Sequence, residues 1–253
     1  MLTTATLAFW LIACLAAWMQ TLTGFALGLI LMGGVGLLGL MPLPEAAVVT
    51  SILVVTNGAI VLWRGWREVD VAALRLYLAG TLPTLIIGYA LLHYLAGTAL
   101  WLLQLLLGLV IVGSSIQLGL RPRPQEHRSP PASFIAFGAA GGIMGGLFST
   151  AGPPIIYHIY RQPIAQIAIR STLVAVFVLN QTFRLGLVVA TDGIALPTLA
   201  AAAGAIPAVA LGTLAARRWP PPLTPARMRQ LAVGLLFCSG AALVGPALTR
   251  LAG

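Results

Sequence analysis

The sequence predicts an all-α polytopic membrane protein folded as two inverted repeats, each a broken, re-entrant helical segment followed by three transmembrane helices. Three observations carry that prediction. Of the 253 residues, 59% are hydrophobic and 8% charged, and the mean hydropathy is +0.99, whereas soluble domains carry about 25% charged residues. Two apolar stretches are interrupted by glycine, hydroxyl and polar residues. The features of the first half also recur, in order, in the second. A soluble domain could not bury this much apolar surface, and the apolar runs are too long, and lack the alternation, for barrel strands.

The sharpest interruption lies in Gly138 to Tyr160, GAAGGIMGGLFSTAGPPIIYHIY. Pro153 and Pro154 remove two backbone donors, and Pro154 biases its predecessor away from the helical region. Non-helical backbone inside a bilayer is tolerated only where protein buries it or a water-filled cavity solvates it. A break between apolar half-segments therefore points to a transport site; the alternative is a kinked span packed by small residues.

Taken in order, residues 5–19 form an apolar segment that runs into Gln20-Thr21-Leu22-Thr23-Gly24-Phe25. A second apolar segment reaches Met41-Pro42, and the two read as half-depth helices meeting at a polar turn, each short of the roughly 20 residues a span needs. A helix follows from Pro44 to Trp63, ended by Arg64-Gly-Trp-Arg-Glu-Val-Asp70. Helices at 72–95 and 98–119 flank a turn near Ala96-Gly97. Residues 120–132 are a proline-rich polar loop in which a helix is not expected. The pattern then restarts: a broken segment at 133–160, helices at 163–190 and 194–216, the basic loop Arg217-Arg218-Trp219-Pro-Pro-Pro, and a last helix at 226–249. The first repeat is thus 1–120, a cytoplasmic linker 121–132, and the second repeat 133–253.

The halves match in detail. Leu78-Ala-Gly-Thr-Leu-Pro83 resembles Ala202-Ala-Gly-Ala-Ile-Pro207; Asn57 pairs with Asn180, Asp70 with Asp192, and Gly108-Leu109 with Gly234-Leu235, at spacings of about 124 residues. Corresponding loops have opposite arginine content: 64–75 and 120–131 are arginine-rich in the first half, 161–170 and 217–229 in the second, while the turn at 191–193 carries only Asp192. With arginine-rich loops facing the cytoplasm, the halves are inverted. An eight-helix description, counting each broken segment as one span, remains open.

Composition also excludes functions. The net charge of +9 comes from arginines alone, spread over short loops, so positive loops against anionic headgroups explain it and nucleic acid is not expected as a partner. Cys14 and Cys238 lie in apolar segments and read as small hydrophobes. The N-terminus lacks a basic n-region and reads as a first membrane segment. The five acids lie outside span centres and no His/Cys/acid spacing suits a metal, so neither an enzyme nor any cofactor is expected. No P-loop is present.

Gln20-Thr-Leu-Thr-Gly-Phe-Ala-Leu-Gly28, the glycine-rich Gly145-Gly-Leu-Phe-Ser-Thr-Ala-Gly-Pro-Pro154 and Arg170-Ser-Thr-Leu together resemble the TauE/SafE sulfite exporter family. The likeness covers nearly the whole chain. The second break departs from the family's usual Gly-x-Gly-Gly-Pro-Pro by carrying Ser149-Thr150-Ala151-Gly152. The resemblance implies a multi-pass protein of the cell inner membrane that moves sulfite, organosulfonates or other small organic anions.

If the two breaks meet at mid-membrane, each aims the N-terminus of a half-helix, with free N–H groups and partial positive charge, at one site. The substrate-binding candidates are Gln20, Thr21, Thr23, Gly24, Asn57, Ser149, Thr150, Gly152, Arg170, Asn180 and Arg184. Hydroxyls of Thr21, Thr23, Ser149 and Thr150 would donate to oxyanion oxygens, or bond back to their own helices. Arg184 lies deep in an apolar segment that contains no acid, where a bound anion would supply the missing charge; Arg170 either shares that role or snorkels to the interface. Asn57 and Asn180 orient the ligand or lock the halves together. His158 and Tyr157, one turn after Pro154, are candidates for carrying a coupled proton, against a helix-terminal hydrogen-bonding role. The expectation is secondary transport of a small anion by alternating access, with a homo-oligomer left open. A non-transporting membrane subunit or scaffold, and a carboxylate transporter or channel, are the alternatives.

Overall fold

The first apolar segment forms α1, Thr4–Thr23, in a computed structural model that describes residues 4–119 and 125–219 and isolated helical positions between 230 and 244. The helix is longer than the expected 5–19 because its polar end is absorbed into it. The hydroxyls of Thr21 and Thr23 donate back to the carbonyls of Ala17 and Met19 at 2.8 and 2.7 Å, the usual way a buried hydroxyl is satisfied in a helix. Gly24 and Ala26, at φ +85° and +95°, then break the chain before α2, Leu27–Leu38.

Pro42 precedes α3, Leu43–Gly65, and a proline in its first turn fits a position with no intrahelical donor to lose. One tight turn, Trp66–Glu68, leads to α4, Val71–Thr98, where Asp70 caps the helix by accepting from the Ala73 N–H at 3.0 Å. The turn expected at Ala96-Gly97 falls later, at Ala99, because the Thr98 hydroxyl bonds back to the Tyr94 carbonyl and the last turn stays helical. α5 is Leu100–Gly119.

The second half opens with α6, Pro131–Phe148, so Pro131 starts a helix rather than preventing one. Ser149, at φ +53°, ends it, and α7, Gly152–Tyr160, carries Pro153 and Pro154 in its first turn. α8, Gln166–Thr191, and α9, Leu196–Arg218, follow. The fold is all-helical among the described residues, and seven of those helices (α1, α3, α4, α5, α6, α8 and α9) are long and apolar enough to cross a membrane. α2 and α7, at 12 and 9 residues, are not. The expected last helix at 226–249, with Cys238, and residues 120–124 and 220–225 lie outside the described residues apart from those isolated positions.

Helix pairing crosses between the halves. α4 packs along α6, and α1 along α9. Glycines make both contacts close: Gly80 and Gly88 lie against the α6 backbone at Ile135 and Ile143, Gly138 against Tyr77, and Gly212 against Cys14. Small residues serve this purpose in membranes, where lipid is as apolar as the side chains and close packing supplies the attraction. α3 and α8 also pack on each other, and Gln20, Phe25 and Ala26 of the first break and Ser149, Thr150 and Ala151 of the second are all buried.

Candidate functional site

The two breaks touch. A Cβ on Gly28 would come 2.9 Å from the Ser149 carbonyl and 3.2 Å from the Thr150 Cβ. Between them is a narrow void of about 10 Å³, lined by Gln20, Gly28, Ser149, Thr150 and Gly152 among others, which is room for a single water. The N-termini of α2 and α7 both open onto it, and their N-cap residues, Ala26 and Ala151, have no side chain that could cap them. Gln20 compensates in the first break: its Oε1 accepts from the Leu27 N–H at 3.2 Å.

Below the first break, Gln20 and Asn57 tie α1 to α3 and α9. The Gln20 Nε2 donates to Asn57 Oδ1 at 2.9 Å, and Asn57 Nδ2 donates to Thr21 Oγ1 at 3.0 Å and Thr213 Oγ1 at 2.7 Å. Asn180, its counterpart by sequence, accepts from Thr81 Oγ1 at 2.8 Å, while its Nδ2 is buried without a hydrogen-bond partner.

Above the second break stands Arg184, with none of its surface exposed. Its Nε donates to the Gly146 carbonyl at 3.3 Å and its Nη1 to Ser51 Oγ at 3.2 Å. Ser51 Oγ lies 3.1 Å from Ser149 Oγ and donates to Gln181 Oε1 at 2.8 Å, and Ser149 Oγ donates to the Ala47 carbonyl at 2.6 Å. Nη2 of Arg184 has no partner. The ring of Tyr89 lies over the guanidinium at 5.6 Å, and no carboxylate among the described residues pairs with it. A buried guanidinium satisfied only by neutral groups is costly, and the remaining donor and the uncompensated charge suit an anion.

Arg184 does not line the void. It lines a second cavity of about 200 Å³ on the Asp192 face, and the Ser51–Ser149 contact links it to the break. The other expected residues divide. Gln20, Ser149, Thr150 and Gly152 border the void. Thr21 and Thr23 spend their hydroxyl protons on their own helix, and Thr23 also bonds the Phe25 carbonyl. A Cβ on Gly24 would come 3.1 Å from the Arg170 Cα and 2.9 Å from its Cγ, so the exposed Arg170 braces the first break from the arginine-rich side. His158 sits apart, with Nδ1 2.7 Å from the Tyr77 hydroxyl and Nε2 2.8 Å from Ser133 Oγ, boxed by Tyr77, Phe134 and Phe137. The Tyr157 hydroxyl accepts from Arg161 at 3.0 Å.

Ser51, Gln181 and Tyr89 were not singled out by sequence. Gln181 carries a usable signal, since it precedes Arg184 by three residues on one helical face. Ser51 and Tyr89 carry none, because each acts through helices far away in the chain.

An all-helical bundle with two broken helices meeting at its centre, and a buried unpaired arginine beside them, has the build of a polytopic membrane transporter. Comparison with known proteins gives the family. The sulfite exporter TauE/SafE family matches residues 9–243, and the chain belongs to it. It is 38% identical over 230 residues to a probable sulfite/organosulfonate exporter TauE of Cupriavidus necator, covering 91% of this chain and 90% of that one. No solved structure matches the chain. The family is one of membrane transporters, not enzymes.

Proposed function

We propose that the protein is a secondary active transporter that exports a small sulfur-containing anion, such as sulfite or an organosulfonate, across the cell inner membrane. It works by alternating access between two inverted repeats, 1–120 and 133–253, joined by a cytoplasmic linker at 121–132. The observation that carries this reading is Arg184: wholly buried, held by Ser51 and Gly146, and left with one free guanidinium nitrogen and no carboxylate partner among the described residues. An oxyanion meets both needs, through charge and through a hydrogen bond from the free nitrogen, and at the adjoining void the Thr150 hydroxyl, the start of α2 and the Gly152 N–H at the start of α7 offer it further donors. Asn57 and Gln20 hold the first break in place for the same ligand, and Arg170 faces the cytoplasmic entry. The description of the relative as a probable sulfite/organosulfonate exporter supports the substrate class.

Counterflow in proteoliposomes tests the proposal with sulfite, a sulfonate, thiosulfate and a simple carboxylate at two pH values. Saturable exchange of the sulfur oxyanions is expected. Preference for carboxylates would change the substrate class and keep the transporter. Arg184→Gln should lower exchange about ten- to hundredfold, the value of a charge-assisted hydrogen bond, and undiminished exchange would remove its assigned role. The pH dependence tests proton coupling, for which His158 and Tyr157 are the candidates. Exchange of no anion by folded protein would leave a non-transporting membrane subunit.

A further inference from the structure

The cavity on the Asp192 face is separate from the void between the breaks, and it is where Arg184 would meet the anion proposed above. Its volume of about 200 Å³ is roughly twenty times that of the void, which has room for one water. Two spans begin at it: Pro44, Glu45 and Val48 line it from the start of α3, and Ile194, Ala195 and Thr198 from the start of α9. The N-cap residues of these helices, Pro42 and Ala195, make no side-chain cap, so both partial positive ends remain. Arg184 lines the same cavity, fully buried and with Nη2 unpartnered.

Two carboxylates also border the cavity, and both are accounted for. Asp192 accepts from the Tyr89 hydroxyl, lies 3.1 Å from the Thr191 hydroxyl, and pairs with His93 Nε2 at 3.3 Å. Glu45 is exposed in the first turn of α3, where the helix end favours an acid. Both carboxylates are exposed at the mouth, where water screens them, whereas Arg184 is buried and its positive charge has no counter-charge among the described residues.

We propose that this cavity is a second anion site, in series with the void between the breaks, that takes a small oxyanion on Arg184, with Tyr89 as the residue that positions the guanidinium. The proposal rests on the reading of Arg184 as an anion-binding group. Tyr89 is fixed on three sides. Its hydroxyl is held by Asp192 and, at 2.8 Å, by Thr191; its edge meets His93 at a ring separation of 4.6 Å; and its face covers the guanidinium. A flexible arginine is thereby confined to one pose, with Nη1 on Ser51 and the cavity beside it.

Cysteine labelling tests the site independently of transport. Thr198→Cys is placed in a Cys14→Ala, Cys238→Ala background in nanodiscs and reacted with an anionic or a cationic methanethiosulfonate, each rate normalised to free cysteine. The anionic reagent is expected to be favoured about tenfold, the low end of electrostatic focusing in a charged cleft, and methanesulfonate should slow it. Arg184→Gln and Tyr89→Leu should abolish the preference, while Tyr89→Phe, which keeps the ring over the guanidinium, should retain most of it. Equal normalised rates, or a preference indifferent to Arg184→Gln, would overturn the site; a preference lost equally in Tyr89→Leu and Tyr89→Phe would overturn the role of the ring. Val48→Cys, on the opposite wall, gives the same readout where Thr198→Cys does not fold. Anion-selective labelling without exchange in proteoliposomes would remove the transport reading and leave this site, and exchange without selective labelling would do the reverse.

Discussion

Asn57 is completely buried and joins three helices through Gln20, Thr21 and Thr213. Asn57→Leu would strand the Gln20 Nε2 donor in an apolar interior, while Thr213 keeps its bond to the Val209 carbonyl, at a cost of about 1–3 kcal/mol for a buried group left unsatisfied. The melting temperature in detergent should fall, and Gln20→Leu in the same chain should add less than it does alone, because the two share one interaction. Asp70 makes a prediction with a pH sign. Burial raises its carboxyl, but the Ala73 N–H and Arg128, 2.9 Å away, outweigh burial and hold it below its ordinary 3.8. A depressed folded-state value contributes stability that is full above the unfolded pKa and is lost as pH falls through the folded one. Asp70→Ala should therefore cost about 0.5–2 kcal/mol at neutral pH, as a lost helix cap does, and the gap to wild type should close as the pH drops below 3.8. At this scale much of the site was legible: Arg184 and Asn57 announce themselves as polar groups inside apolar runs. Ser51 and Tyr89 did not, since a serine or tyrosine in a span is ordinary, and their meaning comes from partners 98 and 133 residues away for Ser51 and about as distant for Tyr89.

Elements obey the same chemistry, and the breaks show where it is strained. Ala26 sits at φ +95°, a region that costs a residue with a Cβ about 1–2 kcal/mol and glycine almost nothing. Ala26→Gly should raise the melting temperature without disturbing the Gln20–Leu27 bond that holds the start of α2. The α4–α6 seam predicts the opposite response. A Cβ on Gly138 would lie 2.6 Å from the Tyr77 carbonyl, and one on Gly142 would collide with the backbone of Thr81. Gly142→Val must push the helices apart, and because Ser149 directly follows α6, loss of exchange should accompany loss of stability; thermal unfolding and counterflow on one preparation check both. The helices themselves were readable from apolar length, and their ends from prolines and caps. The sequence misplaced α1 and the α4–α5 turn for one reason: hydroxyls that look like breakers satisfied themselves on the preceding turn and let the helix continue. Which helix lies on which was not readable, because the glycines that fix α4 on α6 resemble glycines that fix nothing.

For the whole molecule, the two cavities set what movement transport requires. The void between the breaks admits one water, whereas the cavity beyond Arg184 is about twenty times larger, so an anion passing from one to the other must part the groups between them. Those groups are Ser51 on α3 and Ser149 at the second break, whose hydroxyl oxygens are 3.1 Å apart. Alternating access therefore predicts that the second break moves relative to α3 in each cycle. Cysteines at both positions place two sulfurs close enough to bond across that contact. The oxidised Ser51→Cys, Ser149→Cys protein should exchange anions at least about tenfold more slowly than the same protein after reduction, since a covalent link holds one of the two alternating states. Reduction leaves a thiol in place of each hydroxyl beside Arg184, so the comparison isolates the link from the change of side chain. Equal exchange before and after reduction, with the disulfide shown to form, would mean that the break and α3 travel together.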